Sequence, residues 1–305
     1  MLLSDAINEL VIASEAAGLS PRTVKQYQMH LQPLVAHLGD CQVGDITTSD
    51  LRRFINHLRS RTGRHGAAVS PATLGGYART IRRLFNFLVA EEVLIKSPAS
   101  GLAIPKLPKG QPPKAVALDD FLRMMRAIAG DDPEMVRARA VMTFLAETGC
   151  RAGGLVGLRM QDLDIDSLTA QVIEKGNKYR EVYFTEFTSA ELRSWLAVRP
   201  DGSDWVFVSL TDKGQLNVPA VTRMLKRVAR MAGVTGPANA HAFRHMYART
   251  WLMSGGDLAT LSQTMGHSDI TVTAQAYSVF LPSELQQKHR RHSVAAAIKQ
   301  QGDQQ

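Results

Sequence analysis

The sequence predicts a mainly α-helical chain of two domains, the second of which holds a small β-sheet. Three observations carry that expectation. The 305 residues are about twice the size of a usual domain, enough for two separate cores. Apolar residues recur at helical spacing through the first hundred residues and again from Pro219 onward. Between those stretches, "TAQVIEKGNKYREVYFT" reads as two strands joined by a tight turn around Gly176 and Asn177.

The opening segment, "MLLSDAINELVIASEAAGLS", is amphipathic and acidic, with no basic run ahead of an apolar core, so it is expected to be a helix and not a signal peptide. Two later helices open with one device, Ser-Pro-x-Thr. Ser20 and Ser70 are placed as N-caps, and Pro21 and Pro71 as first helical residues, where a missing N–H costs nothing. Between them, "DITTSDLRRFINHLRSR" supplies a capped helix that starts near Thr48 or Ser49. In the helix after Ser70, Ile81, Leu84, Phe85 and Leu88 form the apolar stripe, with Arg79, Arg82 and Arg83 on and beside the opposite face. Those arginines suit either a solvated face or contacts to phosphate.

Residues 97–116 hold five prolines and three lysines, a composition that favours an extended connection. We therefore expect a helical domain over residues 1–103, a linker over 104–114, a mixed α/β domain over 115–290 and a tail over 291–305. In the second domain "LDDFLRMMRAIAG" and "PEMVRARAVMTFLAETG" read as helices ahead of the strands. After them come "PAVTRMLKRVARMAG", "AHAFRHMYARTWLMSGG", "DLATLSQTMG" and a last helix carrying Tyr277.

Composition narrows the partners. Lys and Arg number 36 against 28 Asp and Glu, a formal net charge of +8, which favours a polyanion such as nucleic acid. No apolar run reaches the ~18 residues that a membrane span needs, which weakens an acidic membrane as the partner. Two cysteines, Cys41 and Cys150, are too few for a disulfide framework and fit a reducing, cytoplasmic setting, with Cys150 as a small buried hydrophobe.

The densest chemistry lies in "HAFRH", residues 241–245. His241 and His245 have zinc-compatible spacing. However, no glutamate follows the first histidine, and an always-charged arginine in the same turns repels a cation. Against a zinc site and a core histidine, an anion site is favoured, because His241 and Arg244 share a helical face and similar fragments accompany them. "ETGCRAGGLVGLR" puts Arg151 at the start of a helix, whose free N–H groups favour an anion. "EKGNKYR" puts Lys175 at the lip of a β-turn. "TMGHSDITVTAQAYS" uses Gly266 as a left-handed helix cap, so that His267 emerges on a loop and Tyr277 follows on a short helix.

These residue types fit one reaction. Two arginines can grip the non-bridging oxygens of a phosphodiester while histidines add hydrogen bonds. A tyrosine hydroxyl beside that positive charge is a nucleophile, and Lys175 is the natural acid for the departing 5′ oxygen. Rejoining from a phosphotyrosyl link needs neither ATP nor a metal, and the sequence has no G-x-x-x-x-G-K-[ST] loop.

The ordered set in "TGCRAGGLVGL", "KGNKYREV", "HAFRHMYART", "MGHSDITVT" and Tyr277 resembles the tyrosine recombinase (phage integrase) family, in its short two-domain, Xer-like form. The resemblance spans roughly residues 1–285. It implies a helical, SAM-like core-binding domain and a mixed α/β catalytic domain that clamp duplex DNA, with four protomers on two DNA sites and the stretch from about Pro282 packing against a neighbour. It also implies Arg151, Lys175, His241, Arg244, His267 and the nucleophile Tyr277 as catalytic residues, no cofactor, and a structural role for His245. Two departures stand out. Family members commonly carry an acidic residue three positions after the first arginine, where this chain has Gly154, and Tyr277 follows His267 by ten residues where nine is commoner. A type IB topoisomerase or a DNA-binding regulator remain as rival readings, separated by the assembly of two sites and by covalent adduct formation respectively.

Overall fold

The structure is a computed structural model that describes residues 1–61, 68–104, 113–174, 178–267, 269–278 and 282–292. The chain divides into two compact units, Met1–Lys109 and Gly110–Gln305.

The first unit packs four helices, α1 (Leu3–Ala16), α2 (Pro21–Leu38), α3 (Thr48–Ser60) and α4 (Pro71–Ala90). Ser20 and Ser70 accept from the backbone N–H groups of Thr23 and Thr73, so both Ser-Pro devices act as expected. Helix α3 starts at Thr48, as expected, and its cap is Thr47, in a reciprocal capping box with Asp50. Leu31, Leu34, Leu51, Phe54, Ile81, Leu84, Phe85 and Leu88 are buried together as the core. Arg79 and Arg83 are exposed on α4. Arg82 departs from the expected phosphate-facing set: its half-buried guanidinium donates to Leu102 O at 2.5 Å, tying α4 to the turn that follows it. A guanidinium drawn half inside the fold must pair with an acceptor there, and Leu102 O lies within reach.

The second unit runs α5 (Leu118–Ala127), α6 (Pro133–Thr148), α7 (Ala152–Val156), β1 (Leu163–Asp164), β2 (Thr169–Glu174), β3 (Lys178–Tyr183) and α8 (Glu186–Val198). It continues with α9 (Val218–Met231), α10 (Ala240–Met253), α11 (Leu258–Thr264), α12 (Ile270–Tyr277) and α13 (Pro282–His292). The sheet is antiparallel in the order β1-β2-β3, and Val172 lies opposite Arg180. Helix α6 is buried on nearly all sides, the pattern of a central helix, and packs on α8, α9 and α10. Phe144, Trp195, Phe207 and Phe243 are fully buried in the surrounding core. Helix α8 and strand β1 are additions to the sequence reading. The inward stripe of α8 is Thr188, Ser189, Leu192 and Trp195, half of it polar, so its periodicity is masked.

Among the described residues, no helix is long and apolar enough to cross a membrane.

Candidate active site

The site is assembled around Arg244, which α10 carries one turn beyond its Asn239 cap and which is 2% exposed. A buried guanidinium needs several acceptors, and two helix ends supply them. Helix α6 stops at Gly149, with φ +57°, and α11 is followed by Gly266, with φ +65°. Both are left-handed positions that favour glycine. The freed carbonyls then accept from Arg244, Gly149 O at 2.6 Å and Met265 O at 2.6 Å. A β-carbon on Gly149 would meet the Tyr247 ring at 2.5 Å, and one on Gly266 would meet Arg180 Cδ at 2.7 Å, so the close approach also demands glycine.

Arg151, the residue that caps α7, lies beside it with its side chain 40% exposed. Between the two arginines stands a carboxylate that the sequence reading did not assign, Glu174. Its side chain is 5% exposed, ion-paired with the Arg151 guanidinium, 3.0 Å from Arg180 Nη2 and 3.7 Å from Arg244 Nη1. The Arg151 backbone N–H also donates to Glu174 Oε1 at 3.0 Å. Strand alternation explains the burial: Ala170, Val172 and Glu174 share the inward face of β2, and Arg180 and Val182 that of β3. Arg180 also donates to Thr264 O, binding the hairpin to the end of α11. Burial pushes the Glu174 carboxyl up, but Arg180 and Arg151 outweigh it and leave it below the ordinary carboxylate range.

His267 is held from both sides. Arg244 Nη2 donates to its Nε2 at 2.9 Å, which places the ring proton on Nδ1, facing Thr273 Oγ1 at 2.6 Å. Burial and the charges of Arg244 and Arg151 bring its pKa down to about 4, so the ring is neutral at pH 7. His241 is exposed at the mouth of the site, and its pKa is lowered by partial burial and by Arg244 and Arg151.

Tyr277 ends α12 and is 3% exposed. Burial raises its pKa, with Arg244 and Arg151 pulling partly the other way, so the hydroxyl keeps its proton at neutral pH. That hydroxyl is 2.7 Å from His245 Nδ1. Burial, His241 and Arg244 bring His245 to about 4, so its Nδ1 is free to accept. His245, expected to be structural, thus touches the tyrosine directly, while its ring lies 4.2 Å from that of His241. Tyr247 faces Trp251 and Gly149 instead.

Arg151, His241, Arg244, His267 and Tyr277 therefore converge, and Lys175 lies outside the described residues. Glu174, Arg180 and His245 were missed as site residues, although all three sit inside the quoted motifs. The available signal was charge at an inward strand position: a Glu in register with buried Val172 must find cations.

Residues 114–281 match the model of the phage integrase family, and residues 13–92 that of the phage integrase N-terminal SAM-like domain. The chain is 30% identical over 269 residues to the tyrosine recombinase XerC of Psychromonas ingrahamii, covering 86% of this chain and 87% of that one. It is 28% identical over 283 residues to the tyrosine recombinase XerD of Listeria monocytogenes, covering 89% and 92%. Its fold is similar to that of the Tn1549 transposon integrase in complex with transposon right end DNA, with a TM-score of 0.75, 18% identity and coverage of 95% and 99%.

Proposed function

This chain belongs to the phage integrase family of tyrosine recombinases, enzymes that cleave and rejoin DNA strands at specific sites, and from that premise we propose which of its residues carry each step. The observation that supports the assignment is the position of Tyr277. Its hydroxyl is within 2.7 Å of a neutral histidine and under the field of Arg151 and Arg244.

Arg151 and Arg244 hold the non-bridging oxygens of the scissile phosphate, His241 donates a hydrogen bond to it, and His267 accepts from Arg244 and so fixes the direction of that guanidinium. Tyr277 Oη attacks phosphorus as its proton passes to His245 Nδ1, and the bond to O5′ breaks. Lys175 protonates the departing O5′. The 3′-phosphotyrosyl link conserves the bond, and a free 5′ hydroxyl from a second strand reverses the steps to rejoin. Arg151, Arg180 and Arg244 face one carboxylate, Glu174, so the site keeps a surplus of positive charge for the negative charge that builds at phosphorus.

The substrate is double-stranded DNA, contacted by Arg79 and Arg83 of the first unit and by the catalytic cleft of the second. Four protomers assemble on two sites. Helix α13 reaches its own chain through the Arg249–Glu284 ion pair and Lys288 Nζ to Leu252 O at 2.5 Å, and it is the segment that would exchange between protomers.

The reading is tested by incubating the protein with two copies of its native flanking DNA in EDTA and sequencing the products. Reciprocal strand exchange at one position is expected. Relaxation of a single plasmid without exchange would favour a topoisomerase, and binding without cleavage a regulator.

Lys175→Ala should slow cleavage by about 10²- to 10⁴-fold while leaving DNA affinity nearly unchanged. With a 5′-bridging phosphorothiolate, whose sulfur leaves without a proton, most of that deficit should vanish. An equal deficit on both substrates would remove Lys175 from the acid role.

A further inference from the structure

Position 154 and position 174 answer each other. A β-carbon placed on Gly154 would lie 3.6 Å from Glu174 Cγ and 3.3 Å from Val172 Cβ, so the glycine leaves the volume through which the Glu174 side chain passes. That side chain is the only carboxylate paired with these arginines among the described residues, and it bonds Arg151 through both the guanidinium and the backbone N–H. Without it, Arg151, Arg180 and Arg244 would meet as three unscreened cations in a largely buried space, where like-charge repulsion is strong. Arg151 would lose its partner and swing toward solvent, since its side chain is already 40% exposed. Glu174 is also the last residue of β2, one position before Lys175.

We propose that Glu174 is the positioning carboxylate of this active site. From the end of β2, through the gap left by Gly154, it fixes Arg151 and Arg244 relative to each other so that both reach one phosphate. It ties that pair to the strand leading into Lys175. The inference rests on the assignment of the two arginines to the phosphate. Glu174 itself does not touch the substrate, so its contribution is geometric: an arginine misplaced by about 1 Å forfeits most of what it adds to the transition state. Supporting groups of this kind typically contribute about 10- to 100-fold to the activity of the residues they orient.

The test compares full-length wild-type protein, Glu174→Gln, Glu174→Asp, Glu174→Gly and the double variant Glu174→Gly with Gly154→Glu. Each is measured for DNA affinity, thermal midpoint and single-turnover formation of the covalent complex, on an ordinary phosphate and on a methylphosphonate that lacks one non-bridging oxygen. Glu174→Gln should cleave the phosphate about 10- to 100-fold more slowly with affinity within about threefold of wild type. The deficit should shrink on the methylphosphonate, because an oxygen that is absent needs no arginine aligned on it. A merely structural loss would slow both substrates alike. Glu174→Asp should fall between Gln and wild type. The double variant brings a carboxylate into the same space from the opposite wall and should recover at least about tenfold over Glu174→Gly alone. It keeps the proposal testable if Glu174→Gln folds poorly. Wild-type rates for Glu174→Gln, or equal deficits on both substrates, overturn the proposal while leaving the recombinase assignment intact. Failure of wild-type protein to form any covalent complex overturns both.

Discussion

Replacing Tyr277 with phenylalanine is expected to abolish the covalent protein–DNA complex while leaving the fold and DNA binding in place. A suicide substrate nicked beside the cleavage point should trap wild-type protein as a species that survives boiling in detergent. The variant should form at least about 10⁴-fold less, the scale on which losing a nucleophile acts. Only the hydroxyl is removed, so the ring still fills its buried seat among Ala248, Leu252, Leu261 and Met265. His245 Nδ1 loses one hydrogen-bond partner, a cost of about 1 kcal/mol. The prediction is exposed because Tyr277 lies ten residues past His267 and because Tyr247 is also on the catalytic unit. Geometry separates the two tyrosines: Tyr247 packs against Trp251 and over Gly149, whereas Tyr277 feels both Arg151 and Arg244. Peptide mapping of the adduct to Tyr247 would overturn the register of the site.

Arg244→Lys should be less damaging to catalysis than loss of the Tyr277 hydroxyl but more damaging to stability. The guanidinium serves Gly149 O, Met265 O and His267 Nε2 at once, in three directions that one ammonium cannot reach together. Both freed carbonyls are at the ends of helices, where unpaired groups buried away from water are costly. Loss of two charge-assisted hydrogen bonds predicts about 2–4 kcal/mol of destabilisation, or a thermal midpoint lowered by roughly 5–15 °C. Cleavage should fall by about 10²- to 10³-fold at temperatures where the variant is folded, the cost of losing one aligned donor to a developing charge. His267 would also lose the guanidinium that donates to its Nε2, but burial, the larger cause of its lowered pKa, remains and lysine keeps the charge, so its pKa should rise only part of the way from about 4, measurable by NMR titration. An unchanged histidine titration would show that Arg244 does not set the state of that ring.

Much of this molecule is legible without coordinates because its signals are short in range. Ser20 and Ser70 cap their helices through an N–H three residues on, and Gly149 and Gly266 end theirs by a backbone conformation that is a property of one residue. The residues that we assign to catalysis, Arg151, His241, Arg244, His267 and Tyr277, could be picked out because each sits in or beside a local turn, cap or short helix that marks it. Where the signal was weaker, elements were lost. Helix α8 turns Thr188 and Ser189 inward along with Leu192 and Trp195, so hydropathy shows no clear stripe, and β1 is two residues long.

The sequence by itself therefore determined most of the helices, the two-part organisation and the residues that we assign to the reaction, all of which follow from residues a few positions apart. Which groups meet across the chain was decided only by the tertiary structure. Glu174 reaches Arg151 across 23 positions and His245 reaches Tyr277 across 32, while Arg82 turns inward to a carbonyl 20 residues on. Such partners depend on strand register and on the angle at which helices pack. A buried charge or hydroxyl must bond to whatever that packing places opposite it, and nothing in its own neighbourhood names the partner.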